Sequence, residues 1–286
     1  MGTRVRERGI RPGIACGELL CGLRRAGIRG VGMSAALTGR TALVTGGGSG
    51  LGRAMCAALA EHGCRVIAAG RTRAKVDETV AGLSVPGRAA TVDVTDPASV
   101  EALAADLADE EISVLVNNAG TPGPVKPLTD IEPGEWSEVF ASNVHGTYLM
   151  CRAFLPGMLA RGSGDIVNIA SVSGKRPLAR RTPYCASKMA VLGLTTTLAA
   201  EVGPQGVTVN SLSPGPVAGP RMERNFRLEA ERTGSTYEEA EAAFVARSAL
   251  GRMVTEQEVA AALVAMLSMP GLCAADIDLS AGMVAR

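Results

Sequence analysis

Tyr184 and Lys188 stand four residues apart in Tyr184-Cys185-Ala186-Ser187-Lys188. On a helix that spacing puts both side chains on one face. An ammonium beside a phenol favours the phenolate and brings its pKa down, so the pair makes a usable acid/base near neutrality. Thirteen residues before the tyrosine is Ser171, just past the apolar run Ile166–Ile169. Its hydroxyl could polarise the oxygen that the tyrosine protonates. A tyrosine and a lysine at this spacing are common by chance, so the pair gains weight only from its company.

A glycine cluster supplies that company. Thr45-Gly46-Gly47-Gly48-Ser49-Gly50-Leu51-Gly52 lies between the apolar run Thr41–Val44 and a helical stretch over Gly50–His62. Glycines there let the backbone turn tightly and approach a pyrophosphate, and the helix behind offers free N–H groups and the positive end of its dipole. Glycine also serves ordinary turns. A strand before the cluster and a helix after it are what make it a dinucleotide cradle. About 25 residues on, the second strand ends in Gly70-Arg71-Thr72-Arg73. An acid at that place would bond a ribose 2′-hydroxyl, whereas Arg71 can pair with a 2′-phosphate. NADP(H) is therefore favoured and NAD(H) stays possible; the alternative is a merely exposed loop arginine.

These groups need elements to hold them. Short apolar runs recur at Thr41–Val44, Arg65–Ala69, Ala89–Val92, Val114–Asn117, Ile166–Ile169 and Val207–Ser211, each followed by a helix-length segment. Asp96-Pro97 reads as an N-cap with proline at the first helical position, and Gly63 as a residue closing a helix. Strands alternating with helices predict a doubly wound α/β domain with a parallel sheet covered on both faces. Ligands of such sheets bind off the carboxyl ends of the strands, and Ser171 falls at that edge.

Composition narrows the classes. The 286 residues are 47% hydrophobic and 20% charged with a net charge of +1, which excludes a disordered chain. No run nears the ~20 apolar residues of a membrane-spanning helix. The balance does not suggest a nucleic-acid partner. Seven cysteines without a C-x-x-C pair read as reduced core thiols of a cytoplasmic protein, and two histidines make a metal centre improbable. Residues 1–32 carry a net +5 and leave −4 for the rest. Glu18 interrupts the apolar stretch Ile14–Leu23, and Arg24-Arg25 follow it, so a secretory signal is disfavoured. Residues 1–36 are expected to be a disordered or dispensable extension, and residues 37–286 one domain.

Taken together, T-G-x-x-x-G-x-G at Thr45–Gly52, Asp93, N-N-A-G at Asn117–Gly120, Asn143, Ser171, Tyr184 with Lys188, and Pro214-Gly215 resemble the short-chain dehydrogenase/reductase family over residues 37–286. The resemblance implies a three-layer Rossmann fold with a seven-stranded parallel sheet, assembled as a homotetramer or homodimer. It implies that Tyr184 is the acid/base, that Lys188 lowers its pKa and holds the nicotinamide ribose, that Ser171 orients the carbonyl, and that Asn143 holds a water linking Lys188 to solvent. It further implies that Gly46, Ser49, Gly50, Leu51 and Gly52 take the pyrophosphate, Arg71 and Thr72 the ribose phosphate, and Asp93 and Val94 the adenine. Asn118, Ala119, Gly120, Pro214, Gly215 and Val217 would line the cofactor, with Asn117 bracing the sheet. Two positions depart from the pattern: Gly219 stands where many members have a threonine, and Ser280-Ala281-Gly282 stands where a D-G-G ending is usual.

The substrate side is less defined. The segment 216–250 is long, charged and holds only Phe226, Tyr237 and Phe244 as aromatics, consistent with a lid. No acid occurs from Ile166 to Ala200, and Lys175, Arg176, Arg180 and Arg181 lie between Ser171 and Tyr184. This cluster reads first as a solvated loop or a subunit contact. The second reading is an attractor for an anionic substrate: a carboxylate, a phosphate or a carrier-bound acyl group. The expected activity is reduction of a ketone or 3-oxoacyl group. A sugar or polyol dehydrogenase is the alternative, and a non-catalytic NADP(H) sensor a more distant one.

Overall fold

The computed structural model describes residues 37–176 and 178–284, so the expectation for residues 1–36 lies outside the described residues. In chain order the elements are β1 (Thr41–Thr45), α1 (Gly50–Glu61), β2 (Arg65–Gly70), α2 (Arg73–Ala81), β3 (Arg88–Thr91), α3 (Pro97–Asp106) and β4 (Val114–Asn117). Then come α4 (Pro133–Phe140), a π-helical turn (Ala141–His145), α5 (Gly146–Arg161), β5 (Gly164–Ile169), α6 (Val172–Lys175), α7 (Thr182–Val202) and β6 (Val207–Pro214). The order closes with α8 (Pro220–Thr233), α9 (Tyr237–Val245), α10 (Glu256–Leu267) and β7 (Asp276–Leu279).

The strands form one seven-stranded sheet in the order β3-β2-β1-β4-β5-β6-β7, and every pairing is parallel. Strand side chains alternate between two apolar layers, as a pleated strand buried on both faces requires. Ala42, Val44, Val66 and Ala68 face one layer, completed by Met55, Leu59 and Leu263 of α1 and α10. Leu43, Ile67 and Ala69 face the other, completed by Leu103, Met150, Phe154 and Ala199 of α3, α5 and α7. Chain order reverses between β1 and β4, which opens the crevice where such sheets bind ligands.

Local chemistry sets the boundaries. Asp96 caps α3 by accepting from the Ala98 amide, with Pro97 at the first helical position. Gly63 follows α1 at φ +79°, a conformation glycine enters without a Cβ penalty. The sequence runs locate the strands but stop short at their ends: β1 extends through Thr45, β5 starts at Gly164 and β6 reaches Pro214. Apart from Leu212 these added residues are polar, glycine or proline, and neighbouring strands order them. Gly164 pairs with Val207, and Pro214 with Leu279.

Helices α8 and α9 carry a small apolar cluster of their own. Phe226 meets Tyr237 and Phe244 edge-on, with ring centroids 5.9 Å and 5.4 Å apart, beside Met222, Ala230 and Ala240.

Candidate active site

At the carboxyl edge of the sheet lies a cleft of about 1740 Å³. Gly46, Ser49, Gly50, Leu51, Gly52, Arg71, Thr72, Asp93, Val94, Asn118, Ala119 and Gly120 line it on one side. Ser171, Tyr184, Lys188, Pro214, Gly215 and Val217 line the other. Of the residues expected at the site, only Asn143 is absent from the wall; it lies behind it, 1% exposed.

The glycine end is built for close approach. Gly46 has φ +66°, and a Cβ there would stand 2.8 Å from Asn118 Nδ2. A Cβ on Gly52 would stand 2.1 Å from the Gly46 carbonyl oxygen. The loop is tied to the end of β4: the Asn118 and Ala119 amides each donate to Thr45 Oγ1 at 3.0 Å, and Asn118 Nδ2 donates to the Thr45 carbonyl at 2.9 Å. This glycine-rich cradle at the start of α1 fits a pyrophosphate. Arg71 follows β2 on the surface, and Lys75 of α2 lines the same end of the cleft. Nothing in the local sequence around Lys75 marks it; its place follows from how α2 lies against Gly48. Asp93 accepts from the Thr95 amide and hydroxyl, and those bonds hold its carboxyl below the usual range.

At the other end, Tyr184 sits in the first turn of α7, 9% exposed, and Lys188 one turn later, 6% exposed. Lys188 Nζ donates to the Ile169 carbonyl at 2.7 Å and lies 5.9 Å from the Tyr184 ring centroid. Ser171 caps α6 and accepts from the Ser173 amide. Burial opposes ionisation of Tyr184. The charges of Lys188 and Arg221, with hydrogen bonds from Ser171 and Arg221, outweigh it and hold the phenol pKa below its ordinary value. Burial also pulls the Lys188 pKa down.

Asn143, in the π-helical turn, is a clamp. Its Oδ1 accepts from the Thr121 amide at 2.8 Å, and its Nδ2 donates to the Thr121 carbonyl and to Ser187 Oγ at 3.0 Å. A Cβ on Gly120 would come within 2.8 Å of Asn143 Oδ1 and 3.8 Å of Lys188 Nζ, so these three positions meet. Asn117 braces the sheet, donating to Asn168 Oδ1 on β5 at 2.9 Å.

The four-residue basic cluster divides. Lys175 pairs with Asp276 and Asp278 of β7, and Arg176 donates to the Met283 carbonyl. Arg180 takes φ +66° and reaches the Val125 carbonyl from the surface. Arg176, Arg180 and Arg181 all line the cleft, and of these Arg181 is the buried one, 8% exposed, with its Cζ 5.1 Å from the Tyr184 ring centroid. Arg221 of α8, which the sequence did not single out, brings its Cζ to 5.5 Å from the same centroid. Gly219, the position that departs from the family pattern, caps α8 at φ +144°, a conformation a threonine would not adopt.

Among the described residues no group of histidine, cysteine and acid side chains could hold a metal ion, and no helix is long and apolar enough to cross a membrane. Cys56 and Cys151 are buried, and burial pushes both thiols up to about 12, far from a reactive range.

The model of the short chain dehydrogenase family matches residues 40–231. The chain is 39% identical over 230 residues to a monensin polyketide synthase putative ketoacyl reductase of Streptomyces virginiae, covering 78% of this chain and 88% of the relative. It is 33% identical over 236 residues to the 3-oxoacyl-acyl-carrier-protein reductase FabG of Vibrio cholerae, covering 82% and 91%. Among solved structures, a variant of actinorhodin polyketide ketoreductase with NADPH superposes with a TM-score of 0.81 at 32% identity, covering 85% of this chain and 97% of that one. The chain therefore belongs to the short-chain dehydrogenase family: it is an NAD(P)-binding oxidoreductase that acts on CH–OH groups.

Proposed function

We propose that this chain is an NADP(H)-dependent reductase of a ketone, running in reverse as a secondary-alcohol dehydrogenase, with Tyr184 as the general acid/base. The observation that carries the reading is the buried Tyr184 beside Lys188 and Ser171 on the wall of a cleft whose far end is the glycine cradle. A ketoreductase with NADPH among the similar structures supports the choice of cofactor, as does Arg71 where an acid would repel a 2′-phosphate.

Gly46, Ser49, Gly50, Leu51 and Gly52 would hold the pyrophosphate, and Arg71 and Thr72, joined by Lys75, the 2′-phosphate. Asp93 and Val94 would take the adenine. Asn118, Ala119, Gly120, Pro214, Gly215 and Val217 would line the nicotinamide half, whose ribose Tyr184 and Lys188 hold. Bound there, the reduced nicotinamide supplies the hydride that the carbonyl carbon accepts. Ser171 orients the carbonyl oxygen, and Tyr184 gives it the phenolic proton, completing the alcohol. Lys188 stabilises the phenolate left behind. Asn143 would hold the water that links Lys188 to solvent, from a side chain itself fixed by Thr121 and Ser187. Helices α8 and α9, with their separate aromatic cluster, form the lid over residues 216–250. The substrate is a small carbonyl compound or a carrier-bound 3-oxoacyl group, the chemistry named for the ketoacyl reductase relatives.

The test is NADPH consumption with a panel of ketones, repeated with Tyr184→Phe. Loss of turnover by at least ~100-fold, with NADPH affinity kept, is the expected result for removal of a general acid. Undiminished turnover in the variant sinks the mechanism.

A further inference from the structure

Arg181 is a buried cation with no carboxylate partner among the described residues; its contact inside the fold is the Tyr184 ring. It is buried, and its Nε has no hydrogen-bond partner. It occupies the N-cap of α7, the positive end of a 21-residue helix, where a cation is on the wrong side of the dipole. Arg221 meets the same Tyr184 ring and raises the cost, since like charges repel. Neither arginine forms an ion pair with any described carboxylate, whereas Arg227, Arg232 and Arg252 all do. A buried guanidinium left unpaired costs several kcal/mol in general, and folds retain such groups when something else pairs them. The loop spends more to aim it: Arg180 is held in the left-handed region, with its carbonyl accepting from the Lys126 amide.

We propose that Arg181 and Arg221 form a subsite for a carboxylate on the substrate, so that the ketone reduced at Tyr184 is a short oxo acid with a free carboxyl group. The inference rests on the ketone-reductase reading and gives it a substrate class. Both guanidinium carbons lie within 5.5 Å of the Tyr184 ring centroid. The anion is therefore close to the carbonyl that Tyr184 protonates, separated by one or two carbons rather than by a long acyl arm. The glycine cradle is distinct: it lies off β1, on the far side of the cleft, and already accounts for the cofactor phosphates. A carrier-bound thioester has no free carboxylate and would leave both arginines without an anionic partner.

The test compares kcat/KM for 2-, 3- and 4-oxo carboxylates with their methyl esters, and for a phosphorylated hydroxyketone. For at least one chain length the wild type prefers the acid to its ester by about 10- to 100-fold, the range of a charge-assisted pair. Arg181→Met and Arg221→Gln each cut that acid-to-ester ratio at least tenfold. A role confined to tuning Tyr184 would lower both rates and keep the ratio. Arg221 is exposed, so its variant repeats the test where core packing is not disturbed. Esters turned over as well as acids, an unchanged ratio in both variants, or a preference for the phosphate ester overturns the subsite and leaves ketone reduction standing. No turnover with any ketone overturns the reductase reading instead. The subsite is then decided by calorimetric titration of 3-hydroxybutanoate: binding that is lost in Arg181→Met supports it, and no binding to the wild type refutes it.

Discussion

Replacing Gly52 by alanine tests whether the glycine end of the cleft is a phosphate cradle or an ordinary turn. Gly52 lies in the first turn of α1, and its added Cβ would stand 2.1 Å from the Gly46 carbonyl oxygen and 2.7 Å from Asn118 Nδ2. Real Cβ atoms essentially never come within 3.0 Å of a neighbour, so the gap must open by about 1 Å. Neither neighbour yields cheaply. One is loop backbone, and the other is an amide already bonded to the Thr45 carbonyl at 2.9 Å. Overpacking of this kind costs about 1–3 kcal/mol. The same displacement moves the first N–H groups of α1 away from the loop, which should weaken NADPH at least ~10-fold. Gly193 is the control: it is exposed on α7 with nothing within 4 Å of its missing Cβ, so Gly193→Ala should stabilise by about 0.5–1 kcal/mol. Urea midpoints at constant m-value give the stabilities, and calorimetry gives the NADPH Kd. A folded Gly52→Ala protein that binds NADPH within twofold of the wild type refutes the cradle, whatever its stability.

Three further outcomes follow from the geometry. Burial raises the Tyr184 pKa, but Lys188 and Arg221 hold it below that of a free phenol, so kcat/KM for alcohol oxidation, which needs phenolate, should rise with pH through a midpoint below that of a free phenol. Ketone reduction, which needs the phenol, should fall over the same range, and Arg221→Gln should move both midpoints upward; coincident midpoints in variant and wild type would contradict this. Arg71→Ala should narrow the preference for NADPH over NADH by ~10-fold in Kd, and equal affinities in the wild type would discard the reading of Gly70-Arg71. Ala274 is exposed at φ +57°, so Ala274→Gly should raise the urea midpoint by about 0.5–1 kcal/mol in stability, and a fall would show that the strain is absent.

The sheet was legible because a parallel strand buried on both faces needs an unbroken apolar run, and Val114–Asn117 shows one. β7 was not legible in the same way: Asp276-Ile277-Asp278-Leu279 alternates acid and apolar residues, as an exposed strand would. Its acids are instead satisfied within the fold. Asp276 accepts from Ser211 and Ser213, and Lys175 pairs with both carboxylates. Those partners are 63 to 103 residues away, beyond the reach of any local pattern. The same pairing explains why Lys175 looked free to meet a substrate when only its neighbours in sequence could be seen.

The site divides along the same line. Tyr184 and Lys188 share a helix face, and Ser171 follows a strand, so spacing alone brought them together. Arg221 reaches Tyr184 from a different helix, and its position traces to Gly219. At φ +144° that residue starts α8 in a conformation open to glycine alone, and two residues later the guanidinium is over the tyrosine ring. A threonine there would change the entry angle of α8 and with it the position of Arg221. Gly219 and Arg221 therefore act together: the first sets how α8 begins and the second carries a guanidinium to the Tyr184 ring. Read singly, the first is a departure in a loop and the second a surface charge; together they bring a second guanidinium to the ring that Arg181 already meets.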